Sequence, residues 1–197
     1  DISGTLLING KEVHLNSVRE AIDNKLAYVT EDRKGNGLIL SKTIRENTTL
    51  ASLKKISNHQ IIDPDLEVQV AQQMVKKLRT KCSSVAEEVN NLSGGNQQKV
   101  LLGKWIFTQP EILLLDEPTR GIDVGAKYEI YNIINQLAEE GKSILFISSE
   151  MPEILGICDR IYVLSEGRIV GEMLGSEASQ EAIMKSIIQN QKGAKTS

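Results

Sequence analysis

Two stretches of the chain carry residue types that suit phosphate chemistry. The first is Ser93-Gly94-Gly95, where a hydroxyl residue and two glycines begin a predicted helix. Backbone N–H groups at a helix start, with the positive end of the helix dipole behind them, can bind an anion. The second is the segment 111–119, in which an apolar run ends in Asp116 and Glu117. Carboxylates at the carboxyl end of a buried strand lie where open α/β sheets bind their ligands.

The chemistry that these residues would support is phosphoryl transfer. Asp116 would hold Mg²⁺, directly or through water, and Glu117 would orient and polarise the attacking water. Each stretch also has an ordinary interpretation: Ser93 could simply cap a helix, and the carboxylates could form an acidic turn. Because the two stretches occur one helix apart, their combination favours the nucleotide site.

The expected companion of such a site is a phosphate-binding loop of the form G-x-x-x-x-G-K-[ST], and the 197 residues do not contain this pattern. Gly141-Lys142-Ser143 has its last three letters, but Gln136 occupies the first glycine position. Since the triplet also enters a predicted strand instead of leaving one, we interpret it as the end of a helix followed by a turn.

The elements that position these residues alternate between strand and helix. Predicted strands span 26–29, 112–115 and 144–147, and the last two are all-apolar runs expected to be buried on both faces. Predicted helices begin at Ser93 and at Asp123, and the second of these ends near Gly141. This alternation indicates a parallel sheet in an α/β domain.

Other segments surround this alternation. Asn9-Gly10 and Glu166-Gly167 predict two antiparallel hairpins, and residues 30–41 read as a loop. Residues 43–81 have a helical pattern with a cap at Asp63-Pro64. The C-terminal region predicts a helix whose apolar stripe includes Ile183, Ile187 and Ile188, with a frayed tail over 191–197.

Composition mainly excludes function classes. A formal net charge of −3 argues against nucleic-acid binding, which usually needs a basic excess. The longest apolar runs are too short to cross a bilayer, so a membrane role would require a partner. Cys82 and Cys158 are widely spaced and predict two reduced thiols. His14 and His59 are expected at the surface, and Trp105 is expected to belong to the core.

Four segments together resemble the ABC-type ATPases: "LSGGNQQKV" as the signature motif, "ILLLDEPTRGIDVGA" as the Walker B strand and D-loop, and the flanking "YVTEDRKGNGL" and "ISSEMPEILGICDRI". The likeness runs from about residue 5 to about residue 172 and is strongest to the second nucleotide-binding domain of bacterial monosaccharide importers. It implies a P-loop NTPase-like α/β fold with an antiparallel β subdomain and a helical subdomain, lacking the Walker A strand and helix.

The resemblance implies a division of the chain and a set of site residues. The sheet core would comprise 1–42 and 110–175, the helical and signature subdomain 43–109, and the C-terminal helix and tail 176–197. The catalytic residues would be Glu117 and Asp116, and the metal ligands for Mg²⁺ would be Asp116 and Glu31. The residues around ATP would be Ser93, Gly94, Gly95, Asn96, Glu31, Asp123 and Ser149.

Two positions depart from the usual ABC pattern. Glu31 stands where a glutamine is expected, and Ser149 stands where the switch histidine is expected. The first adds a negative charge near a γ-phosphate, and the second removes a group that could bond it. Monosaccharide importers share such departures in their second domain.

The resemblance also implies partners. ABC domains pair head to tail, so Ser93 would serve a nucleotide held by the first domain of the same longer protein, and the chain would begin just after its own phosphate loop. Transmembrane permease subunits and, indirectly, an extracytoplasmic sugar-binding protein would complete an importer at the cytoplasmic face of the membrane. Arg33 and Lys34 could contact the permease, although solvated loop charge is the favoured interpretation. The missing strand would leave exposed edges, so the chain alone should self-associate.

Two alternatives to an active importer domain stay open at this point. One is a catalytically degenerate scaffold that regulates an active partner ATPase. The other is an ABC ATPase outside transport, against which the acidic balance and the "TEDRK" segment weigh.

Overall fold

The computed structural model describes residues 3–194, which fall into two compact units that divide between Leu145 and Phe146. None of the helices within residues 3–194 is long and apolar enough to cross a bilayer. Both cysteines are free, as the sequence predicts. The strands of the described residues form four sheets, one of three strands and three of two strands.

The three strands predicted at 26–29, 112–115 and 144–147 form one sheet. Its order is β3 (Leu26–Val29), β6 (Ile112–Asp116) and β7 (Ser143–Ile147). β3 and β6 run parallel, with Leu26 opposite Ile112 and Val29 opposite Leu115. The α/β prediction is therefore confirmed, and the carboxyl end of β6 carries Asp116 as expected.

The prediction that both apolar strands are buried on both faces is wrong. β6 alternates, with Leu113 and Leu115 fully buried and with Ile112 and Leu114 only partly covered. On β7, Leu145 is 51% exposed and Ile147 is 43% exposed. An apolar run shows that both faces of a strand could be buried, but each face is buried only if another element of the fold packs against it.

Helices occupy most of residues 43–107. A capping box at Thr43 begins α2 (Ile44–Thr49), Asp63 caps α3 (Pro64–Lys77), and α4 (Gly94–Ile106) follows Ser93. The segment predicted as wholly helical also holds a 3₁₀ stretch, Leu50–Ile56, and a two-residue hairpin of β4 (Ser57–Asn58) and β5 (Ile61–Ile62). His59 and Gln60 form the turn of this hairpin, and both have positive φ angles. The sequence analysis missed the hairpin because the turn lacks the Asn-Gly pair that usually indicates one.

The N-terminal hairpin agrees with the sequence analysis. Asn9 (φ 51°) and Gly10 (φ 75°) join β1 (Leu6–Ile8) to β2 (Lys11–Val13) as the expected tight turn. Ser17 caps α1 (Val18–Asp23) by accepting from the backbone N–H of Glu20. The predicted loop 30–41 contains a short π-helical turn, Arg33–Gly37.

α5 (Val124–Glu139) follows β6 and packs through Ile130, Ile134 and Leu137. Gly141, with φ 83°, follows the end of this helix, and the N–H groups of Gly141 and Lys142 bond back to its last turn. The interpretation of Gly141-Lys142-Ser143 as a helix end is thus confirmed.

The second unit holds α6 (Met151–Ile157), the hairpin of β8 (Arg160–Ser165) and β9 (Arg168–Leu174), and α7 (Gln180–Ala194). Its core consists of Ile161, Val163 and Ile183. Ile188 is 44% exposed, so it lies off the buried stripe. The prediction of a frayed tail over 191–197 is wrong for residues 191–194, because α7 continues to Ala194. Residues 195–197 lie outside the described part of the chain.

Candidate nucleotide-binding site

Ser93 precedes α4 in an extended conformation, but its side chain does not cap the helix. Instead, Nδ2 of Asn96 donates a 2.9 Å hydrogen bond to Oγ of Ser93. Oδ1 of Asn96 in turn accepts from the backbone N–H of Lys81 at 2.8 Å. The capping interpretation of Ser93 is therefore wrong, and Asn96 holds the hydroxyl beside the helix start.

The two glycines of the signature segment allow close approaches within the chain. A Cβ on Gly94 would lie 3.0 Å from Nη2 of Arg33 and 3.4 Å from the carbonyl oxygen of Gly121. A Cβ on Gly95 would lie 2.4 Å from Cβ of Ala126, closer than real side chains come. Glycine is thus needed here for internal packing, in addition to leaving the N–H groups open to a ligand.

The loop after β6 carries the predicted catalytic carboxylates. Asp116 ends the strand, and Glu117 follows with φ 45°, a left-handed conformation that non-glycine residues seldom adopt. Asp123 caps α5, as predicted, because its Oδ1 accepts the N–H of Ala126 at 2.9 Å. Strain of this kind is concentrated at functional loops, so the positive φ of Glu117 agrees with a constrained site.

Tyr28 is a neighbour of Asp116 that the sequence analysis missed. Its hydroxyl donates a 2.7 Å hydrogen bond to Oδ2 of Asp116. This bond, followed by desolvation and the charge of Asp116, raises the pKa of Tyr28. The parallel pairing of β3 with β6 places Tyr28 opposite Leu114, so only knowledge of the register could have found it.

Arg33 is not a solvated loop charge, and the favoured interpretation of this residue is wrong. Nη1 donates to the carbonyl oxygen of Arg120 at 2.8 Å, and Nη2 donates to that of Gly121 at 3.2 Å. Nε lies 3.5 Å from Oε1 of Gln97 on α4. Burial lowers the pKa of the Arg33 guanidinium, against the opposing charge of Asp32.

Glu31 forms an ion pair with the guanidinium of Arg120. The negative charge that departs from the usual pattern therefore has a cationic partner within the chain, on the loop that follows β6. These two residues, with Asp32, Arg33 and Lys34, line a cavity of about 310 Å³. The cavity wall thus carries charges of both signs.

The predicted site residues are brought together only in part. Ser93, Gly94, Gly95 and Asn96 lie at the start of α4, and Asp123 lies at the start of α5, beside which Gly95 contacts Ala126. Ser149 lies between β7 and α6, in the unit of residues 146–197.

Asp116 is the residue best placed to bind Mg²⁺, since it ends β6 at the carboxyl edge of the sheet. Residues 3–194 hold no cluster of three His, Cys, Asp or Glu side chains that could bind a metal ion. Magnesium usually keeps several waters and binds one or two carboxylates together with substrate phosphates. Asp116 at the end of β6 fits that requirement as a single carboxylate ligand beside a bound nucleotide.

Comparisons with known proteins agree with this geometry. A family model described as "ABC transporter" matches residues 1–120. The L-arabinose transport ATP-binding protein AraG of Geobacillus stearothermophilus is 60% identical over 184 residues, which are 93% of this chain and 36% of the relative. The xylose import ATP-binding protein XylG of Geobacillus kaustophilus is 54% identical over 92% of this chain and 36% of its own length.

A ribose import ATP-binding protein, RbsA of Bacillus cereus, is 50% identical over 92% of this chain and 37% of its own length. The chain therefore spans about a third of the length of these curated relatives.

Solved structures share the fold at low identity. A dimeric ATP-binding cassette in a post-hydrolysis state with ADP and phosphate matches with a TM-score of 0.72 and 22% identity, over 87% of this chain and 73% of that one. An ATP-binding cassette of an ABC transporter in its ADP conformation matches with a TM-score of 0.74 and 18% identity, over 97% of this chain and 77% of that one. At these identities the likeness shows the α/β fold with its antiparallel and helical parts.

Proposed function

Because the chain belongs to the ABC transporter family and has the fold of its ATP-binding cassettes, we propose that it is the second nucleotide-binding domain of a monosaccharide importer. It would couple ATP binding and hydrolysis to sugar uptake. The names of the relatives support this, since the arabinose, xylose and ribose proteins all transport or import a pentose. The part of the chain that resembles the family would divide into a sheet core, 1–42 and 110–175, and a helical part, 43–109, followed by 176–197.

The observation that carries the proposal is the start of α4. The Ser93 side chain does not cap the helix, and Asn96 holds its hydroxyl in place. Gly94 and Gly95 add no side chain that would cover the first N–H groups. This arrangement suits an anionic γ-phosphate, which we propose is held by the first cassette of the same protein.

Asp116 and Glu117 would serve the nucleotide of this domain's own site. Asp116 would be the carboxylate ligand of Mg²⁺, with Tyr28 orienting it, and Glu117 would orient the attacking water. Mg²⁺ bound with ATP neutralises charge on the transferring phosphoryl group. Glu31, with its charge paired to Arg120, would line the γ-phosphate side. Asp123 would hold the start of α5 beside the signature segment.

The partners follow from the importer assignment. Transmembrane permease subunits would receive the movement of the paired cassettes, and an extracytoplasmic sugar-binding protein would act through them. The domain would then lie at the cytoplasmic face of the membrane as a peripheral subunit. Support comes from the relatives, which are named as transport or import ATP-binding proteins.

A second candidate is a catalytically degenerate scaffold that regulates an active partner cassette. The observation that favours it is the Glu31–Arg120 ion pair, which places a bound carboxylate where the family usually has a neutral glutamine. The absence of G-x-x-x-x-G-K-[ST] from these 197 residues agrees with either candidate.

The test compares two substitutions in the complete ATP-binding subunit reconstituted with its permease. Ser93→Arg places bulk and positive charge at the start of α4 and should abolish most of the ATPase activity. Glu117→Gln should cost much less, because a water-orienting group is valuable only where the rest of the site is complete. Equal and large losses would show two working sites, and a larger loss from Glu117→Gln would contradict the asymmetric assignment.

A further inference from the structure

Arg33 joins three segments that are far apart in the sequence. It belongs to the π-helical turn after β3, it donates to two successive carbonyls of the loop after β6, and it approaches Gln97 on α4. The planar guanidinium suits this task, because its N–H groups diverge in a fixed fork that can satisfy two acceptors together. A lysine at this position could supply the charge but not the fork.

The turn that presents Arg33 is itself fixed at both ends. At the start, Oδ1 of Asp32 accepts the N–H of Gly35 at 2.9 Å, which closes the turn. At the end, Nζ of the buried Lys104 donates to the carbonyl oxygen of Gly37 at 2.6 Å. Since Lys104 is part of α4, the turn is anchored to the same helix that begins at the signature segment.

Gly94 makes room for the guanidinium. A Cβ at this position would lie 3.0 Å from Nη2 of Arg33, and the Gly121 carbonyl would be 3.4 Å away. The start of α4, the guanidinium and the loop after β6 are therefore in mutual contact. A change in any one of them would alter its contacts with the other two, because the hydrogen bonds of Arg33 and the close approach at Gly94 join all three.

We propose that Arg33 is a positioning residue that holds the carbonyls of Arg120 and Gly121 against the start of α4. It sets the spacing between Ser93 and the loop that carries Asp116 and Glu117. This inference rests on the proposed function, in which both segments act on nucleotide. It assigns Arg33 to the alignment of two segments that serve different nucleotides: Ser93 faces the nucleotide of the first cassette, and Asp116 and Glu117 face the nucleotide of this domain. The sequence had suggested a free surface charge or a permease contact for Arg33.

The expected kinetic effect is specific. Arg33 does not touch the nucleotide in this assignment, so its loss should leave the KM for ATP within about twofold and lower kcat. Removing two charge-assisted hydrogen bonds should lower kcat about tenfold in Arg33→Gln. In Arg33→Lys, kcat should fall only about threefold, because the lysine ammonium can still bond one of the two carbonyls.

The control is Arg19, an exposed arginine on α1 whose charge pairs with Asp23 at 3.2 Å. Arg19→Gln and Arg19→Lys repeat the same chemical changes away from the site. The assays use the complete subunit with its permease, and they include Ser93→Arg. If Ser93→Arg abolishes activity while Arg33→Gln matches Arg19→Gln, the Arg33 proposal is overturned and the proposed function stands.

If Ser93→Arg has no effect, the proposed function fails, and the isolated chain decides the question of Arg33. Carbonyl ¹³C chemical shifts of Arg120 and Gly121 should move in Arg33→Gln and should stay unchanged in Arg19→Gln. Unchanged shifts in Arg33→Gln would overturn the proposal. Arg33→Lys serves as the second variant if Arg33→Gln does not fold, as judged by circular dichroism.

Discussion

The hydroxyl of Tyr28 and the carboxylate of Asp116 are joined by a 2.7 Å hydrogen bond between residues 88 positions apart in the chain. β3 and β6 make this contact possible, because their parallel pairing sets Val29 opposite Leu115 and brings both residues to the same end of the sheet. The bond favours the neutral phenol beside the charged carboxylate. It therefore ties the ionisation of a half-exposed tyrosine to the predicted metal ligand.

Titration of the phenols should detect this bond. The pKa of Tyr28 is raised in the folded chain, so this group contributes stability that is fully present below its ordinary value of 10.0 and is lost as the pH rises through the folded value. Ultraviolet absorbance should show a late phase of phenol ionisation above the ordinary value, to which Tyr28 contributes. Tyr28→Phe should reduce this late phase, and Tyr128→Phe, at an exposed tyrosine of α5, should retain it. A late phase whose amplitude is unchanged in Tyr28→Phe would contradict the assignment.

Packing at Gly95 should be detectable as lost stability. Gly95→Ala places a methyl 2.4 Å from Cβ of Ala126 and should lower the free energy of unfolding by about 1–3 kcal/mol. The double change Gly95→Ala with Ala126→Gly should recover part of that loss in urea unfolding, because it removes the clashing atom. Independent, additive losses would show that the two residues do not meet.

Gly156 provides the opposite case. It lies inside α6, and a Cβ added there would meet nothing within 4 Å. Gly156→Ala should stabilise the second unit by about 0.5–1 kcal/mol, because alanine loses less backbone entropy in a helix. A fall in the thermal unfolding midpoint would contradict this expectation.

The capping box of α2 should control part of the acid sensitivity. The hydroxyl and backbone N–H of Thr43 both bond to Glu46, and with Lys42 they lower the pKa of this carboxyl to about 2. A lowered pKa contributes stability above the unfolded value of 4.5, and this is lost as the pH falls toward about 2. Thr43→Ala should lower the free energy of unfolding by about 1 kcal/mol at neutral pH. It should also weaken the pH dependence of that free energy between 4.5 and about 2. The prediction would be contradicted if the free energy of unfolding of Thr43→Ala, measured over this pH range, changed with pH as steeply as that of the wild type.

Local signals in the sequence were sufficient where the structure depends on neighbours in the chain. Asn9-Gly10 predicted a turn with two positive φ angles, and Asp123 predicted a helix cap, because turns and caps are decided within a few residues. Arg33 was misjudged because its acceptors at Arg120 and Gly121 lie 87 and 88 positions away. No local pattern distinguishes an arginine that reaches a distant carbonyl from one that faces water.

Exposed apolar residues on β7 predict self-association of the isolated chain. Leu145 and Ile147 are about half exposed, and large apolar side chains on an accessible strand favour contact with another chain. Light scattering should show a mass that rises with protein concentration. Leu145→Thr with Ile147→Thr should reduce this rise, since threonine suits a strand and is smaller and more polar than leucine or isoleucine. A monomeric mass at high concentration would contradict the prediction.

Binding of Mg-ATP to the 197-residue chain alone should be very weak, and hydrolysis should not be detectable. A phosphate loop supplies the N–H cradle and the lysine that hold the β- and γ-phosphates, and this sequence has no G-x-x-x-x-G-K-[ST]. The start of α4 offers N–H groups to one anionic group only, which is too little for micromolar affinity. Calorimetry on the wild-type chain and on Ser93→Arg should therefore give equally small heats. Micromolar binding that Ser93→Arg removes would show that α4 holds nucleotide without a partner cassette, and it would contradict the composite site.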